Sequence, residues 1–270
     1  MVEPEAQAPQ RTIRDGESRR SGLWIWLFAL PRFLFKIWFG LVFVVSLVVL
    51  YIPFRIMLYK EDRYRRAFRW MRRWAWFLQH MALLPVRVER RASLPEPPYV
   101  ICCNHGSYLD IIQMYNVMPD YFVFMGKHEL LKWPLFNMFF KGMNIAVNRS
   151  NRTEAARSLL RAAKEIDGGA CIALFPEGTI PFSAPRMKVF KDGAFRLAIE
   201  KQVPIVPVTF LNNWRLFGDP ERFLSRGHPG VARAVVHAPI VTKGMGLDDV
   251  IPLRKQVHDI IEGPLREHEA

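Results

Sequence analysis

From Val86 onward the chain alternates short apolar runs with stretches of helical spacing, and few folds accept that rhythm. The runs are Val86–Glu89, Tyr99–Cys103, Tyr121–Met125, Ala170–Phe175, Ile205–Leu211 and Ala232–Ala238, each of strand length. Helices are expected between them at Asp110–Val117, Trp133–Phe140, Thr153–Ile166 and Ala194–Glu200, with Leu247–Glu262 closing the chain. Thr153 can cap the third of these and Gly168-Gly169 end it. Strand and helix in turn at these lengths mean an α/β domain over residues 85–270, a mostly parallel, mixed sheet flanked by helices.

Residues 1–84 follow other rules. Residues 1–22 are polar, with Pro4, Pro9 and Arg11, Arg14, Arg19 and Arg20, and read as a disordered basic lead. Leu23–Leu30 is rich in Trp and Phe, as interfacial segments are. Ile37 to Phe54 then carries no charge, and 18 helical residues reach about 27 Å, close to the thickness of a bilayer's hydrocarbon. The run starts too late and too long for a signal peptide, and its end lacks a small-residue cleavage site. It is expected to insert in a membrane, as a full span or a re-entrant wedge, alone or as a hairpin with Leu23–Leu30. The flank after it is the richer in arginine (Arg55 to Arg73), which puts the bulk of the chain on the cytoplasmic side. Between Asp62 and Leu84 arginines alternate with Trp70, Trp74, Trp76 and Phe77, as in helices that lie among lipid headgroups. The opposite face of such a helix can pack on the domain. Residues 23–84 thus read as a membrane-associated helical region.

The net charge of +13 is lopsided: residues 1–91 hold 17 Lys and Arg against 7 Asp and Glu, the rest 21 against 18. Basicity beside the most apolar stretch points to an anionic membrane surface and away from nucleic acid, which needs a basic face on the folded domain. Cys102, Cys103 and Cys171 sit inside apolar runs, in a reducing compartment and without zinc spacing. A bacterial inner membrane fits best, and an internal eukaryotic membrane also fits. No metal or cofactor is expected.

Two strand ends carry the chemistry. The run Tyr99–Cys103 delivers Asn104 and His105 into a Gly106-Ser107 turn, with Asp110 opening the next helix. Positions five apart on one helix diverge by about 140°. The imidazole and carboxylate can therefore meet only if His105 lies in the turn and Asp110 in the first helical turn, as a general base and its orienting partner require. The second end is Leu174-Phe175-Pro176-Glu177-Gly178-Thr179. Ligands bind beyond the carboxyl ends of strands in open α/β sheets, so both turns should open on one cleft. Arg186, Lys188 and Lys191 follow the second turn, and Arg149 ends the run Gly142–Asn148. Cations around a cleft beside a membrane suit a phosphate-bearing substrate.

Asn104-His105 with Asp110 resembles the NHxxxxD signature of the glycerolipid acyltransferase family. Phe175–Thr179 matches its FPEGT motif, Gly142–Arg149 is similar to its second block and Val203–Val208 to its fourth, over about residues 80 to 215. The resemblance implies transfer of a fatty acyl group from acyl-CoA or acyl carrier protein to a lysophospholipid acceptor, lysophosphatidic acid in the type activity. It makes His105 the general base and Asp110 the group that holds its tautomer. It gives Asn104, Arg149, Glu177, Gly178, Thr179 and the cations Arg186, Lys188 and Lys191 to substrate binding. One position departs: where the family often has an arginine after FPEGT, this chain has Ile180. That leaves room for a different lyso-lipid acceptor. A hydrolase using water activated by His105 and a non-catalytic lipid-binding adaptor are the other readings, though a decayed site should have lost His105, Asp110 or Glu177.

Overall fold

The computed structural model describes residues 22–132, 134–148, 151–181, 183–218 and 225–269. Residues 1–21 of the expected basic lead and Arg149 fall outside them, while Gly22 already belongs to a helix. Two helices come first, α1 (Gly22–Met57) and α2 (Tyr64–Met81). Then follow β1 (Val86–Arg90), β2 (Val100–Cys103), α3 (Leu109–Val117), β3 (Phe122–Lys127), α4 (Met138–Lys141), β4 (Ile145–Val147) and α5 (Arg152–Asp167). The chain ends with β5 (Cys171–Leu174), α6 (Gly193–Glu200), β6 (Ile205–Phe210), α7 (Asn213–Leu216), β7 (Ala232–Val236) and α8 (Val250–Glu269).

The strands form one seven-stranded sheet in the order β1-β7-β6-β2-β5-β3-β4. Every pairing is parallel except β6 with β7, so the sheet is mixed but mostly parallel. The central strands are buried on both faces, which is why they read as unbroken apolar runs. Side chains alternate between two cores. Val100, Cys102, Ile172 and Leu174 face α5, α6 and α8; Ile101, Cys103, Ala173 and Val208 face α3 and Phe68 of α2. All three cysteines are free and buried, and burial pushes the Cys171 thiol up to about 12.

Some details differ from the sequence reading. β4 was not anticipated, for it has three residues at the sheet edge and only Ile145 is buried. The helix expected over Trp133–Phe140 is not one element: a short 3-10 turn covers His128–Lys132, Leu135 takes a positive φ of 64°, and α4 begins only at Met138. Asn151, not Thr153, caps α5, its side-chain oxygen accepting from the backbone N–H groups of Thr153 and Glu154 at 3.0 and 3.2 Å.

α1 runs without a turn through Pro31 and Pro53, so Leu23–Leu30 does not fold back as the second arm of a hairpin. From Ala29 to Met57 it is long and apolar enough to cross a membrane. Its two faces differ. Phe35, Phe39, Phe43, Leu47, Phe54 and Met57 pack on the rest of the protein, whereas Leu30, Leu34, Ile37, Leu41, Val44, Val48, Ile52 and Ile56 are exposed at helical spacing. Phe54, fully buried, meets Trp74 of α2 and Phe139 of α4 with ring centroids 5.7 and 5.3 Å apart. α2 likewise buries Phe68, Met71 and Leu78 while Trp76 and Phe77 stay outside.

Candidate active site

Because β6, β2 and β5 are neighbours, with Cys103 opposite Val208 and Cys102 opposite Leu174, their carboxyl ends place three loops side by side. His105 leaves β2, Glu177 leaves β5 and α7 follows β6. The 72 positions between His105 and Glu177 are thus spanned by strand pairing, and the Glu177 side chain accepts the His105 backbone N–H at 2.8 Å.

The turn Asn104–Asp110 is held at its centre by Asp110, which is completely buried. Oδ2 accepts from the backbone N–H groups of Gly106 and Ser107 at 2.8 and 2.9 Å and lies 3.0 Å from His105 Nδ1. Oδ1 accepts from Asn213 Nδ2 at 2.7 Å. With two backbone N–H groups on it, Oδ2 has no room for a proton of its own, so in the third contact Nδ1 of His105 is the donor and Nε2 keeps its lone pair. Nε2 has no hydrogen-bond partner among the described residues. The ring is stacked on Phe175, centroids 4.0 Å apart, and its side chain is 12% exposed. The imidazole is thereby fixed in tautomer and plane, with its basic nitrogen left unengaged by the described residues.

Glu177 works differently from a substrate ligand. It is buried, and its Oε2 accepts the backbone N–H of Lys188 at 2.9 Å while Oε1 holds His105. One carboxyl group therefore pins the His105 turn to the loop 178–192. Burial pushes its pKa up to about 7, and the two backbone hydrogen bonds hold it from going further. Gly178 permits the turn, with φ at 82°, a value that side-chain-bearing residues rarely adopt.

Asn104 also departs from its expected role. Its amide donates to the carbonyl of Phe210 at 3.0 Å and accepts the Phe210 N–H at 2.8 Å, so both ends are occupied in tying β2 to β6. Thr179 is exposed and its hydroxyl donates to the carbonyl of Ile180. Arg186, Lys188 and Lys191 are exposed on the loop that Glu177 anchors, without ion-pair partners among the described residues. Ser107 is not poised as a nucleophile: its hydroxyl donates to the Phe217 carbonyl at 2.6 Å and accepts the Leu109 N–H at 3.1 Å.

Sequence reasoning missed Asn213, which bridges Asp110 and Gln113 (Oε1, 2.9 Å) and is itself buried. A signal existed: Asn212-Asn213 follows the buried strand β6 much as Asn104 follows β2. Phe175, the platform for the imidazole, was read only as part of a motif.

The proteins that this chain resembles are acyltransferases by name. A family model described as Acyltransferase matches residues 85–211. The chain is 33% identical over 186 residues to a mouse protein (Mus musculus) named 1-acyl-sn-glycerol-3-phosphate acyltransferase alpha, covering 65% of this chain and 62% of that one. It is 32% identical over 196 residues to the human (Homo sapiens) protein of the same name, covering 68% and 66%. It thus spans just under two thirds of the length of these relatives. The crystal structure of the 1-acyl-sn-glycerophosphate (LPA) acyltransferase PlsC from Thermotoga maritima superimposes with a TM-score of 0.72 at 20% identity, covering 89% of this chain and 97% of that one, a likeness of fold.

Proposed function

The chain belongs to the acyltransferase family, and from that premise we propose that it transfers a fatty acyl group from acyl-CoA or acyl carrier protein to the sn-2 hydroxyl of lysophosphatidic acid, giving phosphatidic acid. The observation that carries the reading is the open Nε2 of His105, opposite an Nδ1 held by Asp110. Nε2 takes the proton of the acceptor hydroxyl as its oxygen attacks the thioester carbonyl. The tetrahedral adduct then expels the thiolate, which collects the proton from the imidazolium. Asp110 stabilises that imidazolium without itself being protonated, as the aspartate of a hydrolase triad does. Proton transfer of this kind contributes roughly 10²–10⁴-fold, and holding donor and acceptor together at a surface contributes further.

No enzyme nucleophile is required. The Ser107 hydroxyl is committed on both sides, and the cysteine thiols are buried with their pKa raised. An adaptor role is disfavoured because a base with four donors arranged on its partner carboxylate has no use in passive binding.

The anchor reading follows from α1. A helix covered by the folded domain along one face, from Phe35 to Met57, cannot pass alone through the hydrocarbon core. Its exposed apolar stripe suits a helix lying in the interface, with the aromatic edge of α2 beside it and the domain on the cytoplasmic face. Of the two modes open to the sequence, this supports the wedge over the full span.

The test is acyl transfer by the purified protein in phosphatidylcholine vesicles, with lysophosphatidic acid and a long-chain acyl-CoA. Diacyl product from wild type and none from His105→Ala is expected. Full activity in that variant refutes the mechanism, and free fatty acid as the product indicates a hydrolase. Ile180 favours one second reading, a lyso-lipid without the phosphate monoester, and a panel of acceptors separates the two.

A further inference from the structure

With Ile180 where an arginine is usual, the acceptor's phosphate needs another partner, and the chain just beyond β6 supplies cations. α7 and the residue after it touch the catalytic turn at three points. Asn213 holds Asp110, the Phe217 carbonyl takes the Ser107 hydroxyl, and Trp214 Cβ stands 3.3 Å from where a side chain on Gly106 would begin. Over the Trp214 ring lie two guanidinium groups, Arg215 at 4.9 Å and Arg226 at 5.1 Å from the centroid. The two cations are therefore within about 10 Å of each other and repel. Neither is in ion-pair contact with a carboxylate among the described residues. Lys36 of α1 reaches the same corner, donating to Ser225 Oγ at 2.6 Å. It stands on α1, the helix with the exposed apolar stripe, so the corner lies on the side of the molecule that carries the proposed anchor.

We propose that Arg215 and Arg226, stacked on Trp214 at the lip of the catalytic turn, bind the phosphate monoester of the lyso-lipid acceptor. The inference rests on the acyltransferase reading above and deepens it. An arginine lying on an aromatic face keeps its N–H edge free, and that edge meets two phosphate oxygens at once. The indole holds both forks in place before the lipid arrives, so little ordering remains to be done on binding. The Trp214 side chain adjoins Gly106, the residue after His105, and on this proposal the acceptor's glycerol runs from the phosphate toward Nε2. Arg186, on the facing loop, is exposed, and among the described residues no ring or hydrogen bond orients its side chain.

The full chain in neutral phosphatidylcholine vesicles tests this, with lysophosphatidic acid and the monoacylglycerol of the same chain length as alternative acceptors. Arg215→Gln or Arg226→Gln should raise the KM for lysophosphatidic acid about tenfold, and the pair about a hundredfold, with kcat within about threefold. The monoacylglycerol rate should not change, so the preference for the phosphorylated acceptor collapses. Arginine-to-lysine variants should recover part of it. Lys243→Gln, beside the amino-terminal end of β6 and so at the opposite edge of the sheet, should behave as wild type. An active wild type whose paired variant keeps its KM and preference overturns the proposal alone. So does a paired variant that loses only co-sedimentation with phosphatidylglycerol-containing vesicles, since that assigns the cations to bulk headgroups. A wild type that acylates no lysophosphatidic acid overturns the acceptor assignment and this site with it.

Discussion

Asp110→Asn removes a charge and almost no volume from the centre of the site. When His105 becomes an imidazolium, the carboxylate lies 3.0 Å from Nδ1. At an effective dielectric constant of about 20 that contact is worth about 5 kcal/mol. Its loss from the transition state corresponds to between roughly three and four powers of ten in rate. The fold should survive. The buried Asn213 Oδ1 has no partner among the described residues, so rotation of the Asn213 amide lets that oxygen accept from the NH2 group introduced at position 110. What is lost is the Asn213 bond to Gln113, about 1 kcal/mol. The assay is initial-rate thiol release from acyl-CoA with the diacyl product counted in parallel, beside thermal unfolding in the same detergent. A variant that unfolds within a few degrees of wild type and keeps a tenth or more of its kcat refutes the role given to Asp110.

The pH dependence of stability offers a separate check, for two buried groups act with opposite signs. His237, buried and sharing a hydrogen with Thr209 Oγ1 at 2.8 Å, has its pKa lowered by burial to about 4. Its contribution is full above pH 6.5 and is lost as pH falls toward 4, by roughly 3 kcal/mol. Glu177, raised to about 7, contributes below pH 4.5 and loses a similar amount as pH rises through 7. Denaturant titrations should find the two nearly cancelling in wild type, and Glu177→Gln should gain stability with rising pH between 4 and 6.5; a flat profile in that variant contradicts the assignment. Gly178→Ala places a side chain at φ 82° and should cost about 1–2 kcal/mol, with activity falling because the Glu177 tie shifts; thermal unfolding and the acyl-transfer rate read both. Phe54→Ala should cost about 3–5 kcal/mol by emptying the junction of α1, α2 and α4, measured as the fall in unfolding midpoint.

The mixed sheet was legible because its central strands are buried on both faces, and nothing but an apolar run satisfies that. The pairing of His105 with Asp110 was legible for a different reason, since a five-residue separation leaves only one local geometry in which the groups meet. Ile145–Val147 escaped because an edge strand needs only one buried side chain and leaves no run. The helix over Trp133–Phe140 failed at Pro134 and Leu135, where a positive φ interrupts a pattern that hydropathy alone calls helical. Glu177 and Asn104 were given to substrate binding by the family resemblance alone. Their side chains are occupied by backbone groups, among them those of His105 and Phe210, 72 and 106 positions away, which only the folded sheet brings near. Asn213 lay hidden for the same reason.

Phe39 of α1 rests on Phe217 with ring centroids 4.5 Å apart, and the carbonyl of that same Phe217 receives Ser107 from the catalytic turn. Under the proposed anchor, the imidazole is thus bolted through two contacts to the helix that floats in the lipid. Its height over the bilayer is then set by the draught of the whole body, and a substrate must rise to a fixed waterline.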